Sequence, residues 1–346
     1  MYALNNAVWE ITLSCNIHCL HCGSNADINK RPKELSTDEA LDLIEQLADL
    51  NCNRVVLSGG EPFLRKDWAI LAQRIVMLGM DCHYISNGLI VDDNILNILE
   101  NIGTKYVGFS LDGSSAETHD KIRGRKGVFE HLIQLFDRMK ERNFQIGVVS
   151  TIHKGNIDEL EGMKKLLIRH GVDIWQIQTA NVRGRMPKEW AITAADFYSV
   201  AEFIAKNRQR YKDVMVITEA DCTGYYSRLT PYMGIKHWNG CNAGINTIGI
   251  ESDGGIKGCL SMQDKKYIEG NIREKSLKEI WEDKTSFLYN RRFKMSDLKG
   301  ICKDCEYGGI CRGGCSEKAE SYTGELHNQP FCLYHIEQNS LKSIKT

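Results

Sequence analysis

Three cysteines stand close together near the start of the chain, in the segment CNIHCLHC at residues 15–22. Cys15, Cys19 and Cys22 have the spacing C-x3-C-x2-C. Thiolates are ligands of zinc and of iron–sulfur clusters, and a closed tetrahedral site needs one more of them. The segment therefore suits an incomplete zinc site, a chance cluster of cysteines, or a metal site with one position open to a ligand.

The whole chain is rich in cysteine. Its 346 residues include 13 cysteines, an odd number, and the N-terminal segment MYALNNAVWEITL lacks the features of a signal peptide. We therefore expect a cytoplasmic protein, in which patterned cysteines are metal ligands or redox groups because disulfides do not persist there. Since 44 Lys and Arg balance 45 Asp and Glu, bulk charge predicts no nucleic-acid or membrane partner. No apolar run is long enough to span a bilayer.

Short apolar segments alternate with amphipathic helical ones from Val8 to about Thr218. Nearly continuous apolar runs are typical of strands buried on both faces of a parallel sheet. One helix is expected to begin after Ser36, where Glu39 completes a capping box. Six strand–helix repeats predict an α/β fold, a partial (β/α)6 barrel of the TIM type. The predicted strands are VWEITL (8–13), NRVVLS (53–58), CHYISN (82–87), KYVGFSL (105–111), QIGVVSTI (145–152) and DIWQIQ (173–178), with a seventh candidate at VMVIT (214–218).

The alternation ends near residue 218. Residues 240–332 are rich in glycine and cysteine and have few long periodic segments apart from SLKEIWED at 276–283. A region that cannot build a large apolar core is commonly stabilised by metals. We therefore predict a barrel domain over residues 1–218, and a linker with a small cysteine-rich domain over residues 219–346.

Glycines and polar side chains follow the second, third and fourth predicted strands. The carboxyl ends of barrel strands form active sites, and a glycine there lets the backbone approach a ligand closely. Each motif alone could be a turn, because Asn-Gly and Asp-Gly are turn formers. Together they predict a site at one end of the barrel. The motifs are LSGGEP (57–62), ISNG (85–88), FSLDG (109–113) and the following HDKIRG (119–124).

These motifs, with the first cysteines, resemble the radical S-adenosylmethionine (SAM) superfamily. In that family three cysteines bind three irons of a [4Fe–4S] cluster, and the fourth iron binds the amino and carboxylate groups of SAM. The resemblance implies that Cys15, Cys19 and Cys22 are the cluster ligands. His21 stands where the family usually has another aromatic residue. The SAM contacts that the resemblance implies are His21, Gly59, Gly60, Glu61, Asn87, Ser110, Asp112 and Arg123.

The resemblance also implies a reaction. The reduced cluster donates one electron to SAM, and the resulting 5′-deoxyadenosyl radical removes a hydrogen atom from a substrate. Such an enzyme works under anaerobic conditions and needs an electron donor such as flavodoxin or ferredoxin. The cofactor carries the difficult chemistry, while the barrel orients the reactants and excludes water.

Seven cysteines in the C-terminal region form a second pattern, C…G-x4-C…C-x2-C-x5-C-x3-C…C. It resembles the SPASM domain, which carries auxiliary [4Fe–4S] clusters in radical SAM enzymes that modify peptides or proteins. A zinc ribbon at Cys302 and Cys305 remains an alternative, because zinc and iron–sulfur clusters share thiolate ligands. The resemblance implies three clusters in all, with Cys241, Cys259 and Cys315 in auxiliary cluster I and Cys302, Cys305, Cys311 and Cys332 in auxiliary cluster II.

Auxiliary cluster I is one cysteine short. Family members with full coordination have another cysteine where this chain has Thr247. The alternatives are an open iron, an oxygen ligand, or Cys222. Cys222 could instead donate a hydrogen atom to a substrate radical, as in peptide epimerases, or be a packed thiol. Cys52 and Cys82, where the second and third strands begin, are expected to be inert core thiols.

The substrate implied by the resemblance is a ribosomally made peptide, with a thioether, a carbon–carbon crosslink or an epimerised residue as the product. The alternative is a small molecule such as a tetrapyrrole or another cofactor precursor. A non-catalytic electron carrier or sensor fits less well, because it would not need the SAM motifs. Fourteen residues precede Cys15, too few for a peptide-recognition domain. We therefore expect leader binding by a separate protein or by the barrel mouth.

Overall fold

The computed structural model describes residues 2–27, 33–104, 106–220, 223–234 and 237–344. Cys222 lies outside the described residues, so its predicted role as a ligand or a hydrogen donor stays a prediction. None of the described helices is both long and apolar enough to cross a membrane.

Ten strands, counted over the described ranges, form one sheet. They are β1 (Asn6–Thr12), β2 (Arg54–Gly59), β3 (Asp81–Ser86), β4 (Tyr106–Ser110), β5 (Gln145–Ile152), β6 (Ile174–Thr179), β7 (Val216–Glu219), β8 (Thr247–Ile250), β9 (Gly255–Lys257) and β10 (Gly270–Asn271). Their order across the sheet is β10-β9-β8-β1-β2-β3-β4-β5-β6-β7. The sheet is open, since β7 forms one edge and β10 the other.

Twelve α-helices occur in the same ranges. They are α1 (Thr37–Asp49), α2 (Trp68–Met77), α3 (Asp93–Ile102), α4 (Ala116–Arg123), α5 (Val128–Glu141), α6 (Leu160–Arg169), α7 (Ala194–Arg210), α8 (Leu277–Glu282), α9 (Leu288–Arg291), α10 (Gly308–Cys311), α11 (Ser316–Thr323) and α12 (Leu333–Ile344). At least one helix separates each pair of successive strands from β1 to β7, and both α4 and α5 lie between β4 and β5.

The parallel part of the sheet confirms the predicted α/β fold. Strands β1 to β7 pair in sequence order and in parallel, which gives six β/α repeats followed by a seventh strand. Trp9 of β1 and Leu57 of β2 are fully buried, as expected for central strands with both faces covered. The carboxyl ends of these strands therefore meet along one edge.

Helix α1 shows how local sequence sets these elements. Its buried residues Leu43, Ile44 and Leu47 have the spacing of one helical face. The Ser36 hydroxyl accepts a hydrogen bond from the Glu39 N–H, and the Glu39 carboxylate accepts one from the Ser36 N–H. The predicted capping box is confirmed, and it fixes where the chain enters the helix.

The cysteine-rich region extends the same sheet. Strand β8 pairs in parallel with β1, and Asn6 faces Thr247 in this register. Strands β9 and β10 continue the sheet in antiparallel pairing. The predicted domain boundary after residue 218 falls within β7. The sheet is therefore continuous across the two predicted domains, and it holds the C-terminal cysteines against the barrel.

Candidate cluster and cofactor site

The first three cysteines lie in the loop that leaves β1. Cys15 and Cys19 are buried, and Cys22 is half-buried. Burial raises the pKa of the Cys15 thiol to about 12, and the nearby Cys19 and Cys22 thiols also raise it. Burial also raises the pKa of the Cys19 thiol, and two adjacent thiols that are hard to ionise need positive charge beside them to become ligands, which a bound metal supplies.

Two nitrogen donors point at these sulfurs. Asn87 Nδ2 lies 3.9 Å from Cys15 Sγ and 2.8 Å from Asn16 Oδ1. Arg123 Nη1 lies 3.7 Å from Cys19 Sγ. Donors at these positions favour the thiolate form, which is the form that binds metals. The two residues come from the end of β3 and from α4, so the loop is held by distant segments.

The two glycines that end β2 allow close contact with the cysteine loop. The Gly60 N–H donates to the Thr12 carbonyl at 2.7 Å. A Cβ on Gly60 would lie 2.1 Å from the Ser14 oxygen, and a Cβ on Gly59 would lie 2.1 Å from the Thr12 oxygen. Gly59 also has φ +137°, which favours glycine. The backbone of Gly59 and Gly60 therefore packs directly on the backbone of Thr12 and Ser14, immediately before Cys15.

Glu61 joins the ends of β2 and β3. Its carboxylate is buried and accepts hydrogen bonds from Ser86 Oγ and from the Asn87 N–H, each at 2.8 Å. Burial raises the pKa of Glu61 to about 7. Both carboxylate oxygens are thus engaged by neighbouring strand ends. The predicted contact of Glu61 with SAM stays a prediction, as does that of Ser110, the half-buried last residue of β4.

Asp112 is the centre of a buried cluster beside Cys19. Its Oδ2 lies 2.7 Å from Arg123 Nη2 and 3.2 Å from His21 Nε2. Its Oδ1 accepts a hydrogen bond from the Thr151 N–H at 2.8 Å. Burial acts to raise the pKa of Asp112, but the Arg123 guanidinium and His21 together hold it well below its usual range. The structure thus brings the predicted site residues Asp112, Arg123 and His21 together. The Asp112 carboxylate is bound by other residues of the protein.

One residue near this cluster was missed by the sequence analysis. His153 directly follows β5, stacks on Trp190 with 4.2 Å between ring centroids, and lies 5.8 Å from the His21 ring. Its Nε2 is buried and has no hydrogen-bond partner among the described residues. The strand-end rule that selected Asn87 and Asp112 would also have selected His153.

A second missed residue comes from the cysteine-rich region. Lys318 of α11 is fully buried, and its Nζ donates to Thr179 Oγ1 at 2.8 Å and to Asn181 Oδ1 at 3.1 Å. It therefore ties α11 to the carboxyl end of β6. No local signal could have revealed this, because Lys318 is 139 residues from Thr179.

Four C-terminal cysteines line one small pocket with an aromatic wall that includes Tyr226, Tyr307 and Tyr334. No three His, Cys, Asp or Glu side chains within the described ranges are arranged to hold one metal ion. Thiolates bind both zinc and iron–sulfur clusters, so the zinc alternative for Cys302 and Cys305 stays a prediction beside that of a cluster. The pocket cysteines are Cys302, Cys305, Cys311 and Cys332.

The other three C-terminal cysteines come from separate segments. Burial raises the pKa of Cys259 to about 12, and the Cys241 thiol beside it also raises this pKa. Cys315 directly precedes α11, and its N–H donates to Tyr225 Oη at 2.9 Å. These residues were predicted to hold auxiliary cluster I.

The two cysteines predicted to be inert lie in the core. Cys52 and Cys82 are buried. Burial raises the pKa of Cys52 to about 11 and that of Cys82 to about 12. Cys52 Sγ lies 3.3 Å from the Arg54 carbonyl oxygen at the start of β2. Both thiols are thus at the end of the sheet opposite the cysteine loop.

Comparison with known proteins agrees with this fold. Residues 9–167 match the Radical SAM superfamily, and residues 241–306 match SPASM, an iron–sulfur cluster-binding domain. The AdoMet-dependent heme synthase of Oleidesulfovibrio alaskensis is 30% identical over 94% of this chain and 86% of that protein. The enzyme of the same description from Methanosarcina barkeri is 29% identical over 96% and 99%. The PqqA peptide cyclase of Rhizobium meliloti is 26% identical over 94% and 85%.

The fold also resembles solved structures. Streptococcus suis SuiB bound to S-adenosylmethionine superposes with a TM-score of 0.76 at 18% identity, over 93% of this chain and 75% of that one. The sheet and its helices define an α/β fold in which the first three cysteines lie in the loop that leaves the carboxyl end of a parallel strand. The chain belongs to the radical SAM superfamily and carries a C-terminal SPASM domain. It therefore binds an iron–sulfur cluster and SAM.

Proposed function

We propose that this radical SAM enzyme holds three [4Fe–4S] clusters and modifies a ribosomally made peptide. The proposal for auxiliary cluster II rests on the enclosed pocket that its four cysteines line. The proposal for the SAM cluster rests on the three adjacent thiols and the two donors directed at them. The ligand sets are Cys15, Cys19 and Cys22 for the SAM cluster, Cys241, Cys259 and Cys315 for auxiliary cluster I, and Cys302, Cys305, Cys311 and Cys332 for auxiliary cluster II.

The chemistry that the first cluster and SAM supply when bound is reductive cleavage to a 5′-deoxyadenosyl radical, which removes hydrogen from the substrate. Around them the chain's own residues act as positioning groups. Asp112 holds His21 and Arg123 beside the cysteine loop. Arg123 in turn contacts Cys19 Sγ. The Asp112 carboxylate therefore orients both Arg123 and His21.

Contacts with SAM are proposed for the strand ends. Gly59, Gly60 and Glu61 would meet its methionyl amino group, because they lie at the end of β2 directly beside the cysteine loop. Ser110 and Asp112 would lie around its ribose and carboxylate, with Asn87 beside them. His21, which is near the stacked His153, would contact its adenine. Arg123 remains a candidate partner for the SAM carboxylate, in addition to its bond with Asp112.

The charge distribution where α11 meets the barrel favours a peptide substrate. Arg183 pairs with Glu317 and Glu320, two carboxylates that are nearly buried. Lys257 pairs with Glu251 and is fully buried. A tetrapyrrole with several carboxylates needs cations that are free to pair with them. Arg183 and Lys257 already have acidic partners, and the Lys318 ammonium is bound to Thr179 and Asn181, so none of these cations is free and the site suits the neutral backbone of a peptide better.

A tetrapyrrole is the second candidate. The observation in its favour is that an AdoMet-dependent heme synthase is similar over 99% of its own length, whereas the PqqA peptide cyclase is similar over 85%. A tetrapyrrole would enter the same site, and Arg183 would have to leave Glu317 or Glu320 to bind its carboxylates.

We also propose a cytoplasmic enzyme that receives electrons from a flavodoxin or ferredoxin. If its substrate is a peptide, a separate protein that binds the leader segment is a further proposed partner. A precursor peptide encoded beside this gene would support the peptide proposal, and neighbouring genes for tetrapyrrole synthesis would support the alternative.

The test is an anaerobic incubation of the reconstituted enzyme with SAM, a reductant and one candidate substrate. The candidates are the neighbouring precursor peptide and iron coproporphyrin III. We expect a mass change in the peptide, or uptake of deuterium from heavy water if a residue is epimerised. Abundant 5′-deoxyadenosine without either change would contradict the peptide proposal. Conversion of the porphyrin instead would establish the second candidate.

A further inference from the structure

The hydroxyl of Tyr289 is buried near the cysteines assigned to auxiliary cluster I. Tyr289 lies in the short helix α9, and its Oη has no hydrogen-bond partner among the described residues. A buried polar atom without a partner costs about 1–3 kcal/mol. Proteins rarely leave such a group unsatisfied, so an orphaned hydroxyl indicates a partner outside the described residues.

The position of this hydroxyl is set by Gly258. A Cβ on Gly258 would lie 2.1 Å from Tyr289 Oη, so only glycine leaves room for the phenol there. Gly258 directly precedes Cys259. The same Cβ position would lie 3.0 Å from the Ala243 carbonyl carbon, so the phenol lies near the segments that carry both Cys259 and Cys241.

Asn290, next to Tyr289, connects the segments that carry Cys241 and Cys315. Asn290 Nδ2 donates to the Ala243 carbonyl at 2.8 Å, in the loop that follows Cys241. Asn290 Oδ1 accepts a hydrogen bond from Ser316 Oγ at 3.4 Å, and Ser316 directly follows Cys315. Tyr289 and Asn290 together therefore contact the segments of all three cysteines.

Two other oxygen groups are weaker candidates for this position. Thr247 stands where related proteins have a further cysteine, but its hydroxyl donates to Asn246 Oδ1 at 3.0 Å. Glu317 also interacts with Cys259; Arg183 Nε lies 3.4 Å from its Oε1 and neutralises the carboxylate, although its Oε2 is buried without a hydrogen-bond partner among the described residues. The Tyr289 hydroxyl has no such competing partner within the described residues.

We propose that the phenol oxygen of Tyr289 is the fourth ligand of auxiliary cluster I. It binds the iron that has no cysteine, and the O–H bond is replaced by an O–Fe bond. The phenol proton passes to water, and the cluster keeps its oxidation state. This inference rests on the proposed assignment of Cys241, Cys259 and Cys315 to that cluster. With every iron occupied, the cluster would relay electrons and would not coordinate the substrate.

The first experiment looks for the phenolate itself. The full-length enzyme is produced with ring-deuterated tyrosine, reconstituted anaerobically and measured by resonance Raman spectroscopy. We expect iron-enhanced phenolate bands that shift with the isotope and vanish in Tyr289→Phe. The matched control is Tyr267→Phe, because the Tyr267 ring lies 5.7 Å from the Tyr289 ring and packs edge-on against it. The absence of such bands from the parent enzyme, or their persistence in Tyr289→Phe, would overturn the proposal.

The second experiment asks whether an iron becomes open. Cys15, Cys19 and Cys22 are replaced by alanine in the full-length chain, so that only auxiliary clusters contribute to the spectrum. Cyanide is then added to the reduced protein, and the EPR signals are recorded. We expect no change with Tyr289 present and a shifted signal from one cluster in the Tyr289→Phe variant. Cyanide binding that is equal with and without the Tyr289 hydroxyl would overturn the proposal.

The same series tests the competing ligands. If cyanide shifts the EPR signal of the Glu317→Gln or the Cys222→Ala variant but not that of Tyr289→Phe, the replaced residue is the fourth ligand. That result would refute the proposal for Tyr289. Iron content separates this failure from failure of the cluster assignment. About eight irons per chain should remain after the three alanine substitutions. About four irons per chain would contradict the proposal of two auxiliary clusters, whichever residue is the fourth ligand of cluster I.

Discussion

Arg123 and Asp112 form a buried ion pair immediately behind the cysteine loop, with 2.7 Å between Nη2 and Oδ2. Arg123 belongs to α4, and Asp112 follows β4. The same guanidinium reaches Cys19 Sγ through Nη1. The pair therefore connects the fourth β/α unit to the loop that leaves β1, and the cluster site depends on both.

Replacing Asp112 by asparagine should destabilise the protein strongly. The substitution leaves the Arg123 guanidinium buried without its carboxylate, which typically costs about 3–5 kcal/mol. We expect the free energy of unfolding, measured by anaerobic denaturant titration, to fall by that amount and SAM binding to weaken. Asp93→Asn is the control, since Asp93 forms an exposed pair with Arg142 and should cost less than about 1 kcal/mol. Equal effects of the two variants would contradict this role of Asp112.

A methyl group on Gly60 should disrupt the cysteine loop. A Cβ at this position would lie 2.1 Å from the Ser14 carbonyl oxygen, so the backbone before Cys15 must shift. We expect Gly60→Ala to lose the iron of the SAM cluster and measurable SAM binding while the auxiliary clusters remain. Gly23→Ala is the matched control, because an added Cβ there meets nothing within 4 Å. Full iron content in Gly60→Ala would show that the loop tolerates the shift.

Much of this site could be predicted because its signals are local. A strand ends, a glycine or a short polar residue follows, and parallel pairing brings such ends together; Gly59, Asn87 and Asp112 were all selected in this way. Sequence could not show that the Asp112 carboxylate faces Arg123 and His21 inside the fold. That direction depends on how α4 packs, and packing is not encoded near Asp112.

The C-terminal region was less predictable for the same reason. Cysteine spacing predicted the ligand sets, but Lys318 reaches β6 only through the tertiary fold. No sequence motif surrounds Tyr289. Its position was evident only from the structure, where its hydroxyl occupies the space that a Cβ on Gly258 would need. The parallel pairing of β8 with β1 was also not predicted. A four-residue strand in a glycine-rich segment gives little periodic signal.

Removal of a pocket cysteine should remove one cluster and no more. Cys302 is one of four cysteines that line the C-terminal pocket, so Cys302→Ala should lower the iron content by about four atoms per chain. Cys82→Ala is the control, because Cys82 is equally buried but lies in β3. It should lose stability and keep all its iron. Iron and sulfide quantitation with Mössbauer spectroscopy measures both, and zinc in place of iron at this pocket would contradict the assignment.

Glu10 should make stability fall as pH rises through the weakly acidic range. This residue of β1 accepts a hydrogen bond from Ser24 and is nearly buried. Burial is the main cause that raises its pKa from 4.5 to about 7, and the Glu251 carboxylate nearby raises it as well. Between these two values the unfolded chain has lost the proton that the native protein still holds. Since the native state binds more protons there, the free energy of unfolding decreases with pH.

The variant Glu10→Gln isolates this effect, because an amide keeps the hydrogen bond and cannot ionise. Relative to the parent, its free energy of unfolding should rise by up to about 3 kcal/mol from pH 4.5 to pH 7. Denaturant titrations at several pH values measure the difference directly. Glu117→Gln is the control, since Glu117 is exposed on α4 and its profile should run parallel to that of the parent. A parallel profile for Glu10→Gln would mean that Glu10 is already ionised in the native protein, with Lys257, which acts to lower its pKa, offsetting the effect of burial.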